Sequence, residues 1–316
     1  MTSNYKIKLG YACINTQLSD GPKHSRVTTN RSMIRRTFDQ KGIPYVSEIV
    51  LKNVTDLNKI LKWNLDNKIY FYRMSSSSFP WASEYALESL PEYEEICFQL
   101  KKAGDFAKQN DIRITYHPGP FNKLCSPKEN VVLNTIKDLN HHAEVMDLMG
   151  LSQTPYNKIN IHVGAAYDDK VEAAKTFCKN FSRLSESCQS RLTVENDDKA
   201  SLFTVKDLYQ NVYSKILIPI VFDYHHYSLH PGDMNEKDSL ELSLSTWGGI
   251  KPVVHYSQSR SVEHDNPKIK PQAHSDSYWK APNTYDYSFD MMLECKHKEL
   301  GLYKIRELMR DTNIVK

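Results

Sequence analysis

Short apolar runs in this sequence repeatedly stop at a residue able to do chemistry. Their ends, in order, are Tyr11, Arg73, His117, His162, Glu195, Asp223, His255 and Glu294, six of them imidazoles or carboxylates. Glu195 in LTVEN and Glu294 in MMLEC interrupt segments that otherwise favour burial. A buried carboxylate is costly unless it is paired or coordinates a metal. Two more imidazoles follow in adjoining loops, His226 in FDYHH and His274 in QAHSD. The three-residue spacing from Asp223 favours His226 as the ligand and turns His225 away. His141 and His142 lie within a helical pattern and are expected to pack or face solvent.

Five histidines and three carboxylates exceed what one tetrahedral Zn²⁺ needs. Mixed neutral nitrogen and anionic oxygen suits Zn²⁺ or Mn²⁺, whereas Ca²⁺ and Mg²⁺ prefer all-oxygen shells. Two or three ions bridged by Glu195 or another carboxylate fit the ligand number. Phosphoester hydrolysis is the chemistry such a cluster serves, with activated water on one side and a stabilised leaving oxygen on the other.

Bringing these residues together requires a scaffold, and the runs supply it. They are Lys6–Tyr11, Ile69–Arg73, Arg113–Tyr116, Lys158–Val163, Arg191–Glu195, Ile218–Asp223, Pro252–Tyr256 and Met291–Glu294. Brevity and Val, Ile, Tyr and Phe content predict strands. Between them lie helical patterns: Thr55–Leu65, a segment opening at Ser126–Pro127 and stopping at Gly150, then Asp168–Ser185, Thr204–Tyr213 and Asp238–Thr246. A last helix is expected after Glu294. Eight strands alternating with helices predict an α/β fold, a single (β/α)8 TIM barrel over residues 1–316, with the metal site at the carboxyl ends of the strands. An open doubly wound sheet is the alternative, but no GxGxxG follows the first strand. The segment 257–290, rich in Pro, His, Asp and Tyr, is long for a loop and is expected to be functional.

Composition sets further bounds. The 316 residues are 40% hydrophobic and 25% charged, with a formal net charge of +3. That charge gives no global basic field, so nucleic-acid binding would have to come from a local cluster of Lys and Arg. No signal peptide or membrane-spanning run is visible. Six dispersed cysteines without a CxxC pair suit reduced thiols in an intracellular protein. No protein partner is called for, and a monomer is expected.

The motifs themselves carry a resemblance. LGYACIN at 9–15, FYRMSSSSFPWAS at 71–83, HPG at 117–119, INIHVGAAYDDK at 159–170, TVENDD at 193–198, VFDYHH at 221–226, VHYSQS at 254–259, AHSD at 273–276 and LECKHKE at 293–299 resemble the UV damage endonuclease family, in its order and over nearly the whole chain. The resemblance implies a TIM barrel holding two or three Mn²⁺ or Zn²⁺ ions, with Mn²⁺ favoured. It implies incision of double-stranded DNA immediately 5′ to a UV photoproduct, leaving a 3′-hydroxyl. The implied ligands are His117, His162, Glu195, Asp223, His226, His255, His274 and Glu294. Glu195 and Glu294 are the implied catalytic carboxylates, with Lys296 on a phosphate. Tyr11 and Asn15 match residues lining the lesion site.

Three positions depart from the family pattern. Pro120 stands where members usually carry the Gln of a Gln–aromatic wedge, leaving Phe121 as the apolar wedge. Ser77 replaces a His that is a further ligand in some members. Val253 replaces a lysine that lies near the metals in some members. A less crowded cluster with a weaker third site is therefore expected.

Related chemistries compete with this reading: an abasic-site endonuclease, a divalent-metal sugar isomerase on the same barrel, and a damage-binding protein without cleavage. An isomerase needs a small enclosed pocket. Here Tyr11, Phe79, Trp81, Phe121 and Tyr256, with Arg73, Arg260 and Lys296, are expected to line a polymer groove. Retention of every carboxylate favours an enzyme over a binder.

Overall fold

The computed structural model describes residues 7–309; Lys6 and Arg310, at the ends of the first and last expected elements, lie outside them. Eight parallel strands close into a barrel in sequential order. They are β1 (Leu9–Ala12), β2 (Phe71–Met74), β3 (Arg113–Tyr116), β4 (Ile159–Ile161), β5 (Leu192–Glu195), β6 (Ile220–Asp223), β7 (Val253–Tyr256) and β8 (Asp290–Leu293). Each overlaps its expected run, and all but β1, which starts three residues after Lys6, lie within two residues of it at both ends. The barrel, not the open sheet, is the outcome.

The principal helices are α1 (Arg35–Asp66), α2 (Tyr93–Gln109), α3 (Glu129–Leu148), α4 (Lys170–Phe181), α5 (Val205–Leu208), α6 (Glu236–Ser245) and α7 (Lys298–Leu308). The Thr55–Leu65 pattern is the inner end of α1, which breaks at Gly42, where φ is +61°. A left-handed backbone there costs glycine little. Helix α3 starts later than Ser126–Pro127 suggests, because the Ser126 hydroxyl accepts the Lys128 amide in a turn ahead of the helix. It stops as expected, with Gly150 at φ +65°. No helix among the described residues is long and apolar enough to cross a membrane.

Strand periodicity divides the barrel into two faces. Outward residues such as Tyr11, Tyr72, Ile114, Tyr116, Val194 and Phe222 pack under the helices in the main core. Inside, Ala12, Phe71, Val221, Val253 and Met292 form a small apolar layer with Trp247. At the amino-terminal end the inward side chains are Arg113 and Asp290, fully buried and 3.0 Å apart. At the carboxyl end they are the histidines and carboxylates singled out above.

Candidate metal centre

His117 follows β3, His162 follows β4, Glu195 ends β5, Asp223 ends β6, His255 lies in β7 and Glu294 follows β8. His226 sits one turn into the short helix Tyr224–Leu229, whose first turn Asp223 caps by accepting the His226 amide at 2.8 Å. The interstrand register sets Asp223 beside His255, and His255 beside Met292, two residues before Glu294.

These side chains converge into three triads: His117–His162–Glu195, Glu195–Asp223–His226 and Asp223–His255–Glu294. Within each, one potential ligand atom per residue lies within 4.8 Å of the others. Glu195 belongs to two triads and Asp223 to two, so adjacent sites share a carboxylate. They open on a cavity of 420 Å³ also lined by Arg73, Lys123, Lys199 and His274.

Electrostatics show what the cluster lacks. Burial works to raise the Glu195 pKa, but His255 and His162 overcome it and hold the carboxylate well below its usual range. Burial likewise opposes ionisation of Glu294, and the Arg73 guanidinium paired with it prevails. Burial drives Asp223 the other way, upward, with Glu195 and Glu294 adding repulsion against the pull of His226. Burial holds His255 down to about 4, whereas His226 rises to about 9 because Asp223 and Glu195 outweigh its burial. Among the described residues, Glu195 Oε1 and Asp223 Oδ2 are buried without a hydrogen-bond partner. Unpartnered buried carboxylate oxygens surrounded by imidazoles are what a divalent cation would satisfy. Residues and group fit.

Other side chains orient the candidates. Asn160 donates to Glu195 Oε2 and in turn accepts from Thr193 at 2.7 Å. Asp197 lies 3.0 Å from His162 Nδ1. The Asn196 backbone carbonyl lies 2.9 Å from His226 Nδ1, and its side chain bonds both the Asp223 amide and carbonyl. Ser257 lies 2.7 Å from His274 Nδ1. Sequence reasoning passed over all of these, although Asn160 and Thr193 stand two residues before His162 and Glu195, a spacing that puts them on the same face.

His274 is brought over the mouth by the 257–290 segment, which pairs Ser259 with His274 in an antiparallel bridge. It lines the cavity but joins none of the three triads. His225 is buried against it, ring centroids 5.6 Å apart, so it turns from the triads without reaching solvent. His141 and His142 are buried in helix packing, against Phe79 and Tyr116.

Several residues expected at a DNA-facing groove stand elsewhere. Tyr11 is fully buried beneath α1, donating to Asn64 at 2.7 Å, and Asn15 is buried with its side chain on the Tyr11 hydroxyl. Tyr256 stacks on Tyr278 and donates to the Lys280 carbonyl. The reason is period-two geometry: Tyr11 registers with Tyr72 and Tyr256 follows inward His255, so both point outward. Phe79 is buried, and Trp81 donates to the Met33 carbonyl. Arg73 lines the cavity but is committed to Glu294. Arg260 lies 3.1 Å from Asp276, outside the cavity lining. Lys296 is exposed and also outside it. Pro120 lines the mouth, and Phe121 beside it is 88% exposed.

Ser77 is exposed in a 3₁₀ turn whose Ser76 hydroxyl donates to the His117 carbonyl at 3.1 Å. Val253 belongs to the apolar inner layer. A lysine nevertheless reaches His255, from another strand: Lys158, fully buried just before β4, puts Nζ 3.1 Å from His255 Nε2. Burial carries its pKa well below the usual lysine range.

The fold and site thus define a barrel with a multi-histidine, multi-carboxylate centre at the carboxyl ends of its strands. The UV-endonuclease UvdE family model matches residues 7–316, and the chain belongs to that family. It is 35% identical over 313 residues to the UV-damage endonuclease of Schizosaccharomyces pombe, covering 94% of this chain and 50% of that protein. It is 31% identical over 316 residues to the UV DNA damage endonuclease of Clostridium perfringens, covering 97% and 72%. The chain therefore spans about half the length of the yeast relative. The crystal structure of SacUVDE superposes with a TM-score of 0.82 at 30% identity, covering 97% of this chain and 99% of that one.

Proposed function

We propose that this chain, as one barrel domain and a monomer, is a metal-dependent DNA repair endonuclease that nicks the phosphodiester 5′ to UV photoproducts and leaves a 3′-hydroxyl. The observation carrying this reading is the set of three triads sharing Glu195 and Asp223, with unpartnered oxygens on both. The names of the relatives support lesion-containing DNA as the substrate. One ion would be held by His117, His162 and Glu195, a second by Glu195, Asp223 and His226, and a third by Asp223, His255 and Glu294, with His274 beside the last. Bound Mn²⁺ or Zn²⁺ would supply the Lewis acidity that phosphodiester hydrolysis requires.

The chain's own residues then do the rest. Asn160 and Asp197 fix Glu195 and His162 in the orientation the triad needs. Arg73, paired with Glu294 at the cavity wall, can turn to a phosphate oxygen once a cation takes up the carboxylate charge. Phe121, exposed at the rim, supplies an apolar wedge at a distorted base step, where unstacking takes less energy than in intact duplex.

A nicking assay tests this on duplexes carrying a photodimer, an abasic site or no lesion, with Mn²⁺, with Zn²⁺ and with chelator. The expected result is metal-dependent cutting 5′ to the photodimer. Equal cutting of undamaged duplex, or cutting undiminished by chelator, would overturn the reading.

A further inference from the structure

A cavity roomier than that of the metal centre lies elsewhere on the chain. It measures 880 Å³ and lies between the loop that leaves β1 and the middle of α1, residues 45–59. Five cationic side chains line it, Lys23, Arg26, Arg31, Lys52 and Lys59, against one carboxylate, Asp56. Four net positive charges around one cavity exceed the formal +3 of the whole chain. This is a local basic cluster of the kind that nucleic-acid binding needs in a chain without a global basic field.

Asp56 does not cancel it. That carboxylate is buried and already accepts from Arg31 at 2.6 Å, the Thr28 amide at 3.1 Å and Lys59 at 2.8 Å. These contacts pin the loop to α1. Lys52 comes only within 4.0 Å of Glu48, and Arg26 donates through Nε to the Gly21 carbonyl. Lys23 is exposed, with no side-chain hydrogen bond or ion pair among the described residues. Val27, Tyr45 and Ile49 give the cavity an apolar part between the cations.

Its position relates it to the metal centre. The loop springs from the carboxyl end of β1, the end of the barrel where the triads lie. At its root Cys13 donates its amide to the Arg73 carbonyl and accepts the Tyr72 hydroxyl at 2.8 Å, beside the strand end that carries Arg73 to the cavity mouth. A rod-shaped polyanion lying across that end of the barrel would have the root of this loop beside it.

We propose that this cavity is a second phosphate-backbone subsite, gripping the same DNA duplex to one side of the lesion while the triads face the scissile phosphate. The inference rests on the endonuclease reading and adds to it the surface that supplies sequence-independent affinity. Backbone contacts of this kind position the duplex and carry no base information.

The test uses the full chain, metal-loaded, with Lys23→Glu/Lys52→Glu. Both side chains are exposed and neither holds the loop, so metal content and unfolding midpoint should match the parent. Binding to photodimer duplexes is measured against salt, with duplexes shortened stepwise on each side of the lesion. On long duplexes the log–log salt slope should fall by about two units and affinity by about tenfold or more. On duplexes trimmed close to the lesion, variant and parent should coincide. Lys23→Gln/Lys52→Gln should give the same pattern with a smaller loss. An unchanged slope on long duplexes, or equal losses at every length, would overturn the subsite. So would tripolyphosphate binding there without competing with DNA, which would assign the cavity to a free anion. If the parent binds no DNA at all, the endonuclease reading falls and takes this inference with it.

Discussion

Two charged clusters share the interior of this barrel, and they differ in how completely they are satisfied. At the amino-terminal end Arg113 donates to the Tyr156, Lys251 and Pro155 carbonyls and to Asp290, and rests on the Tyr156 ring at 4.5 Å. Asp290 also accepts the Lys8 amide at 3.0 Å and has Lys251 at 3.3 Å. Neither carboxylate oxygen lacks a partner. At the carboxyl end, Glu195 and Asp223 each keep a buried oxygen without a hydrogen bond, and three carboxylates press on one another. Both clusters bear the desolvation of buried ions. Only one has used all its bonding capacity on itself; the other keeps part of it for a ligand.

That contrast gives opposite expectations for opposite ends. Asp290→Ala leaves the Arg113 guanidinium buried without its counter-ion, and should cost about 3–5 kcal/mol of stability. Folded protein should still take up metal, because no triad residue is touched. Urea unfolding and metal content of the same preparation check both halves. Normal stability, or lost metal in a fully folded sample, would mean the two ends are not separable.

Glu195→Gln should do the reverse. The amide preserves shape but removes the charge shared by two triads, so bound metal should be lost and turnover should fall by at least about 10²-fold, with the fold intact. Unchanged nicking by folded Glu195→Gln protein would remove the multi-metal mechanism.

The carboxyl-end half of this contrast was legible in the sequence; the Arg113–Asp290 cluster was not. The strands could be read because each run is short, β-branched or aromatic, and ended by a residue out of character. The same out-of-character residues, His117 through Glu294, gave the candidate ligands. What escaped was orientation within a strand. Lys158, Asn160 and Thr193 read as ordinary polar positions, because alternation normally sends polar residues to solvent. In this barrel the inner face carries polar residues beside its small apolar layer, so alternation sends them inward beside His162, Glu195 and His255. The same rule explains Tyr11 and Tyr256, taken for groove residues although their strand neighbours in register face outward. The basic cavity escaped for another reason: its cations come from a loop and from α1, up to 36 positions apart in the chain (Lys23 to Lys59), and no local motif marks them.

A smaller effect is expected at the rim of the carboxyl end. Phe121 is exposed and packs little, so Phe121→Ala should leave stability within about 0.5 kcal/mol of the parent. Cutting of photodimer duplexes should fall several-fold more than cutting at a flexible abasic site, since the latter needs less help to open. Pro120→Gln should preserve or improve photodimer cutting. Equal losses on both lesions for Phe121→Ala would reduce that ring to a loop residue.

The smallest effect belongs to Lys296. It follows Glu294 by two residues, yet it is exposed and outside the lining of the metal cavity, its backbone amide tied to the Ser275 carbonyl. We expect the ammonium there to meet a phosphate on the flank of bound DNA. Lys296→Ala should therefore leave metal content unaltered and turnover at saturating DNA within about twofold of the parent, while the log–log salt slope of binding falls by about one unit, the signature of one lost backbone contact. A large fall in turnover at saturation would bring Lys296 into the reaction itself and would mean that the polar end of the barrel extends, on DNA binding, beyond the three triads. An unaltered slope and unaltered turnover together would leave Lys296 facing solvent in the turn ahead of α7, and the cationic cavity beside α1 would then carry the backbone affinity without it.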